Sequence, residues 1–323
     1  MKDIFDNRAV NPMRIGIERD EPYDDSGSIF ELKLDGGRNC AYLDRGLTDI
    51  VNKRAFKVKY RFPELFHIHK QVRGKCILDG EIVIFKNGVP DFEEYNRRSV
   101  LADKVRIDMA CRESPATFVA YDIVYSEGRE VAGLPLMERK ALLHDMVIEN
   151  ELLAVSRYVE GQGTALFSSV HEQGLEGIVG KRKDSPYCYG EKSNDWTKVK
   201  NLLDDDYVVC GYATAEGRAT SLVLGQYTVS GDLAYKGRVA LGQAKHDFKV
   251  IQKQKHAPRH PFAVAPPSGS VEALWLEPSL VCVVSFTTRN DRGVMRDPAY
   301  KGLRLDKEPH EAQEAGCNME KTH

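Results

Sequence analysis

The sequence has no long apolar run. Of its 323 residues 42% are hydrophobic and 29% charged, mean hydropathy is -0.43, and no stretch approaches the roughly 20 consecutive apolar residues that a spanning helix needs. A membrane span is therefore not expected. Cysteine is present but unorganised: Cys40, Cys76, Cys111, Cys188, Cys210, Cys282 and Cys317 are odd in number, far apart, and contain no C-x-x-C pair. That pattern indicates neither a disulfide framework nor a zinc site, and it makes a reducing cytoplasm the expected compartment. The opening residues, MKDIFDNRAV, lack the apolar core of a secretory signal. Internal repeats and low-complexity tracts are lacking as well.

What is present is enough chain for two domains. The net charge of -2 hides a segregation of sign. Lys181-Arg182-Lys183, Lys192, Lys198 and Lys200 crowd one stretch, and Lys245, Lys249, Lys253, Lys255 and Arg259 another, balanced by acidic runs such as Asp204-Asp205-Asp206. Such basic clusters suit a phosphate backbone, although a solvated face is the commoner meaning of a charge run. Val, Ile, Phe and Tyr concentrate at 29–34, 39–43, 76–85 and 117–125, bounded by Gly, Asn or Asp, which reads as sheet; helical spacing is expected over 62–72, 138–150 and 163–173. Strand character returns at 176–181 and 196–200, giving a mixed antiparallel sheet with helices. Beyond residue 201 the texture changes to short β runs at 207–212, 222–227, 233–241 and 280–286 separated by Gly-containing turns, the pattern of a small barrel. The expected division is 1–201 and 202–323, with a loop at 258–270 and a polar, frayed tail after Pro309.

Lys33-Leu34-Asp35-Gly36-Gly37-Arg38 follows the apolar stretch at 29–32 and sets an amine between a strand and a pair of glycines. A lysine that attacks phosphorus must be a free base, which a dry pocket with neighbouring cations favours. The glycines allow close approach of a phosphate, and Arg38 offers it a planar fork. Taken alone, the motif reads equally well as a β-hairpin with a solvated Asp-Gly turn.

Five further motifs follow in order: Leu78-Asp79-Gly80-Glu81, Phe118-Val119-Ala120-Tyr121-Asp122-Ile123, Glu176-Gly177-Ile178-Val179-Gly180-Lys181, Trp196-Thr197-Lys198-Val199-Lys200 and Arg304-Leu305-Asp306-Lys307. Together with the lysine motif they resemble the ATP-dependent DNA ligases, within the covalent nucleotidyltransferases that also include RNA ligases and mRNA capping enzymes. The resemblance implies an α+β fold: an ATP-grasp-like nucleotidyltransferase domain of antiparallel sheets with helices, followed by a small OB-fold barrel. It implies that Lys33 takes AMP from ATP as a phosphoramidate, that Glu31 accepts from the adenine amino group, that Arg38 contacts ribose and phosphate, and that the Tyr121 ring stacks on the base. Glu81 and Glu176 fall at the positions of carboxylates near the ribose and the metal, Mg²⁺ or Mn²⁺. Lys198 and Lys200, two apart on a strand, would clamp the α-phosphate from one face, with Trp196 bracing that strand and Lys181 supporting the pocket. Arg54 best matches the arginine that meets the nick 5′-phosphate. Arg304, Asp306 and Lys307 resemble the mobile element that orients the departing pyrophosphate. His67 and His69, lacking a third ligand, read as surface or packed histidines.

The implied partner is nicked duplex DNA, bound by a monomer. A capping-type guanylyltransferase is disfavoured by Glu31; an RNA ligase is separated less well by the residues themselves. The larger ligases carry a DNA-encircling domain ahead of the catalytic core, and with the first strand expected at residue 29 that domain is expected to be absent. Leu222-Val223-Leu224-Gly225-Gln226-Tyr227 with Gly237-Arg238-Val239 is similar to the ligase modules of bacterial double-strand-break repair.

Overall fold

Alternating apolar residues give strands one buried face, and the computed structural model, which describes residues 3–52, 56–215, 218–242, 244–267, 273–290 and 292–314, assembles those strands into three sheets. Two compact units result, Met1–Asn201 and Leu202–His323.

In the first unit one five-stranded sheet runs Arg14–Arg19, Lys192–Lys200, Gly177–Arg182, Asp25–Leu32, Tyr158–Gly161. The second sheet is built on Leu47–Asn52, Gly37–Asp44, Cys76–Lys86 and Ala116–Ser126, with shorter strands at its edges. A single mixed sheet, expected from the sequence, is thus replaced by two. Strand pairing is antiparallel except for Arg14–Arg19 on Lys192–Lys200 and Leu153–Val155 on Ala116–Ser126, which are parallel. Arg14–Arg19, RIGIER, has only two apolar side chains to mark it as a strand.

The Lys33 segment is not a hairpin, because the strands flanking it belong to different sheets: Asp25–Leu32 to the first and Gly37–Asp44 to the second. Its glycines answer to close packing rather than to a left-handed turn. A Cβ on Gly36 would lie 2.2 Å from the Ile82 carbonyl oxygen, and one on Gly37 1.6 Å from the Tyr95 hydroxyl.

The second sheet packs Leu43, Ile82, Phe118 and Ile123 with Leu65 and Leu143 into the main core, and each such fully buried side chain stabilises by about 1.5–3 kcal/mol. Leu143 comes from the helix Leu136–Met146, and Leu65 from Pro63–Gln71, which winds as a 3-10 helix where α-helical spacing was expected. The first sheet packs Phe30, Ile178 and Val199 against Val170 of the helix Gly163–Glu172.

In the second unit Leu233–Ala240, Arg218–Tyr227, Leu203–Ala215, Val281–Phe286 and Ala299–Leu303 pair antiparallel, with Ala273–Trp275 added to Leu203–Ala215. Tyr207, Val209, Leu222 and Phe286 pack on one side of this sheet and Val208, Cys210 and Val223 on the other. The chain after Pro309 is fastened rather than frayed through residue 314: Tyr227 N–H donates to the Ala312 carbonyl, Glu314 N–H to the Tyr227 carbonyl, and Lys236 pairs with the Glu314 carboxylate at 2.5 Å.

Candidate active site

Strand register decides which side chains of the first sheet meet. Glu31 lies opposite Val179, and Val179 opposite Lys198; Lys181 lies opposite Trp196, and Gly177 opposite Lys200. Directly opposed residues share a face, so Glu31, Lys181, Trp196, Lys198 and Lys200 stand on one side while Phe30, Ile178 and Val199 pack on the other. The crossover at Lys33 then brings in the second sheet, which contributes Arg38, Glu81 and Tyr121. A cavity of about 240 Å³ lies between the sheets, lined by these three with Glu31, Lys33, Val179, Lys181 and Trp196.

Glu31, Lys33, Arg38 and Lys181 each have a polar partner. The Lys33 N–H donates to the Gly177 carbonyl at 2.9 Å and its Nζ to Glu176 Oε1 at 2.5 Å. Arg38 holds both oxygens of Asp79, at 3.1 and 2.6 Å, and Asp79 also accepts from the Tyr187 hydroxyl at 2.7 Å. The Arg38 guanidinium lies 5.6 Å from the Tyr121 ring centroid and 5.7 Å from that of Trp196, within cation–π range. Burial pushes the Glu81 carboxyl up to about 8; Arg38 and Lys33 pull the other way, and Asp79 and Glu176 add to the rise. Lys181, 4.3 Å from the Trp196 centroid, is depressed by burial and partly restored by Glu31, whose Oε2 accepts from it at 2.6 Å.

Of the residues singled out from the sequence, Glu31, Lys33, Arg38, Glu81, Tyr121 and Lys181 line this one cavity, and Glu176 joins it through Lys33. Trp196, expected only to brace its strand, lines the cavity as well. Lys198 and Lys200 share the expected face but are engaged by Glu18 on the neighbouring edge strand, at 2.9 and 3.4 Å. Arg54 lies outside the described residues. In the second unit Arg304 pairs with Asp306 at 2.7 Å and Asp206 at 3.5 Å, and Lys307 also pairs with Asp206. The His69 ring bonds Thr48 Oγ1 at 2.9 Å, and among the described residues no group of three His, Cys, Asp or Glu could hold a metal ion.

Three charged residues were missed. Lys140, on the helix Leu136–Met146, bonds Glu31 Oε1; Arg139 beside it grips both oxygens of Asp122 at 2.8 and 2.9 Å. Glu18 occupies the lysine pair. The only sequence signal for the first two was a pair of adjacent cations inside an otherwise core-facing helix.

A nucleotidyltransferase domain followed by an OB-fold domain is the class that these sheets define. The family model of the ATP dependent DNA ligase domain matches residues 18–200, and that of the ATP dependent DNA ligase C terminal region matches 215–307. The chain belongs to the ATP-dependent DNA ligase family. It is 28% identical over 293 residues to the multifunctional non-homologous end joining DNA repair protein LigD of Mycobacterium tuberculosis, covering 87% of this chain and 37% of that one. The SPbeta prophage-derived DNA ligase-like protein LigB of Bacillus subtilis is 26% identical over 299 residues, covering 92% of this chain and 99% of the relative. Among solved structures, mycobacterial DNA ligase D complexed with ATP and MES aligns with a TM-score of 0.54 at 26% identity, over 95% of this chain and 98% of that one. The chain thus spans little more than a third of the length of LigD.

Proposed function

We propose that this chain seals nicks in duplex DNA that carry a 5′-phosphate and a 3′-hydroxyl, using ATP and a lysyl-AMP intermediate at Lys33. The observation that carries the reading is the Lys33 amine, at a crossover between two sheets, opening into a cavity whose walls offer an acceptor, stacking rings and an arginine. In the first step the unprotonated Lys33 Nζ attacks the α-phosphorus, a P–N bond forms, and the bond to pyrophosphate breaks. AMP then passes to an oxygen of the DNA 5′-phosphate, freeing Lys33. The 3′-hydroxyl finally attacks that phosphorus, and AMP leaves.

In this scheme Glu31 accepts from the adenine amino group, Tyr121 stacks on the ring, and Arg38 meets the ribose and phosphate, its fork aimed by Asp79. Lys198 and Lys200 exchange Glu18 for the α-phosphate. Arg54 meets the nick phosphate, and Arg304 and Lys307 the pyrophosphate. Catalysis is then mostly positioning and charge neutralisation, with the protons of the Lys33 amine and the 3′-hydroxyl released as each attacks. Glu81 in the cavity wall and Glu176 beside Lys33, without a third protein ligand among the described residues, suit a hard divalent ion that completes its shell from phosphate and water. Glu81 and Glu176 would hold Mg²⁺ or Mn²⁺, which supplies neutralisation of the triphosphate charge. We propose a cytoplasmic monomer working in DNA repair; the name of LigD gives that protein non-homologous end joining DNA repair.

The test is transfer of label from α-³²P-ATP to protein. The wild-type chain acquires covalent label and seals nicked DNA faster than nicked RNA. Lys33→Ala, still folded by its melting curve, acquires none; label on that variant refutes the assignment.

A further inference from the structure

Glu31 is held by two lysines, of which the motifs identify only one. Lys181 donates to Oε2 at 2.6 Å; Lys140 donates to Oε1 and, at 2.7 Å, to the main-chain oxygen of Tyr121. The Glu31 side chain is 2% exposed and each lysine 3%. Lys140 is fixed from behind by its neighbour Arg139, whose fork on Asp122 fastens that turn of the helix Leu136–Met146 to the strand Ala116–Ser126. An ammonium at this depth is costly to desolvate, and its partners must be complete to offset that cost. The partners of Lys140 are informative: one is the carboxylate of Glu31, the other the main chain that carries the Tyr121 ring. These are the acceptor and the stacking surface on either side of the space for a purine.

We infer that Lys140 is a positioning residue for base selection, holding the Glu31 carboxylate aimed at position 6 of the purine and fixing its spacing from the Tyr121 ring. The inference rests on the reading of Glu31 as acceptor for the adenine amino group. A carboxylate with one lysine on each oxygen still has lone pairs for a third N–H, whereas the carbonyl of guanine is repelled by those lone pairs. Without Lys140, Oε1 is a buried unpaired atom, and the group turns toward Lys181.

The experiment compares rates of Lys33 nucleotidylation by the full chain with ATP and with the triphosphate of purine riboside, which lacks the 6-amino group. In the wild type, kcat/KM favours ATP by about tenfold or more, the worth of a hydrogen bond to a charged acceptor. Lys140→Met brings the ratio to within about twofold of unity, with most of the loss on ATP, and Lys140→Arg, which keeps the charge, restores most of the preference. A ratio unchanged in Lys140→Met, or equal losses with both nucleotides, overturns the role given to Lys140. A wild-type ratio of one overturns the reading of Glu31 and the inference with it. Should Lys140→Met fail to fold, Lys140→Gln, whose amide can still serve the Tyr121 carbonyl, is judged by the same ratio.

Discussion

Glu31 and Glu18 stand on strands of the same sheet and each binds two lysines, at opposite depths. Glu31, with Lys140 and Lys181, is 2% exposed in its side chain; Glu18, with Lys198 and Lys200, is 49% exposed, and its lysines 25% and 23%. The composition is the same, yet the physics differs. Around Glu31 solvent cannot replace a missing partner, so the three charges stabilise the fold only as a complete set. Around Glu18 water screens the pairs, each contributes little, and another anion can take the carboxylate's place. The Lys198 hydrogen bond, opposed by partial burial, still holds the Glu18 carboxyl below its usual range, so that carboxylate stays ionised beside the two lysines. In the function proposed above, depth would divide the work, a fixed end for recognising a base and an exchangeable end for receiving a phosphate.

The largest expected effect is at the buried end. Glu31→Gln leaves two buried ammonium groups facing a neutral amide and destabilises the chain by about 3–5 kcal/mol, read from urea unfolding. Glu31→Leu combined with Lys140→Met and Lys181→Met, which removes all three charges at similar volume, recovers much of that loss. A change below about 1 kcal/mol for Glu31→Gln breaks the comparison, because it means that water reaches the cluster as it reaches Glu18.

Glu81 lies between the two extremes and sharpens the contrast through pH. Burial holds its carboxyl near 8 in the folded chain against 4.5 ordinarily, so between those values the folded state binds the extra proton. Stability accordingly falls as pH rises from about 4.5 to about 8, by at most about 1.4 kcal/mol per pH unit from this group. Melting temperatures of wild type and Glu81→Gln should converge near pH 5 and separate toward pH 8, with the variant the more stable. Parallel curves across that range mean that Glu81 is ionised throughout and as well solvated as Glu18.

The same division of depth explains what was legible in the sequence. The strands around Glu31, Glu81 and Tyr121 announce themselves because Val, Ile, Phe and Tyr crowd them, and the lysine motif marks where to look for the nucleophile. The sheet partners were not legible, since pairing depends on residues far apart in the chain, and only pairing separates the crossover at Lys33 from a hairpin. The helices Phe92–Ser99 and Lys104–Glu113 carry no clean apolar stripe. The first instead buries Arg98 against Glu64, at 2.6 Å, a charge where periodicity looks for a leucine. Their N-caps were available signals: Asp91 accepts from the Glu94 N–H and Asp103 from the Arg106 N–H, each at 2.9 Å. Lys140 was hidden for a similar reason. A lysine on a helix reads as solvated, and its carboxylate stands 109 positions away.

Glu18→Gln is the mildest change and tests the exchangeable end directly. Loss of two screened pairs alters stability by less than about 1 kcal/mol, and Lys198 and Lys200 remain in place because their own strand, paired on both sides, carries them. If ATP must displace this carboxylate, its removal lowers the KM for ATP in nucleotidylation by about two- to fivefold at low salt, and the advantage fades as ionic strength shortens the Debye length to about 3 Å near 1 M. A KM that rises instead means that Glu18 aims the lysines rather than occupying them. Its exposed carboxylate would then serve the phosphate end as Lys140 serves the base, and depth would no longer separate fixed from exchangeable charge in this pocket.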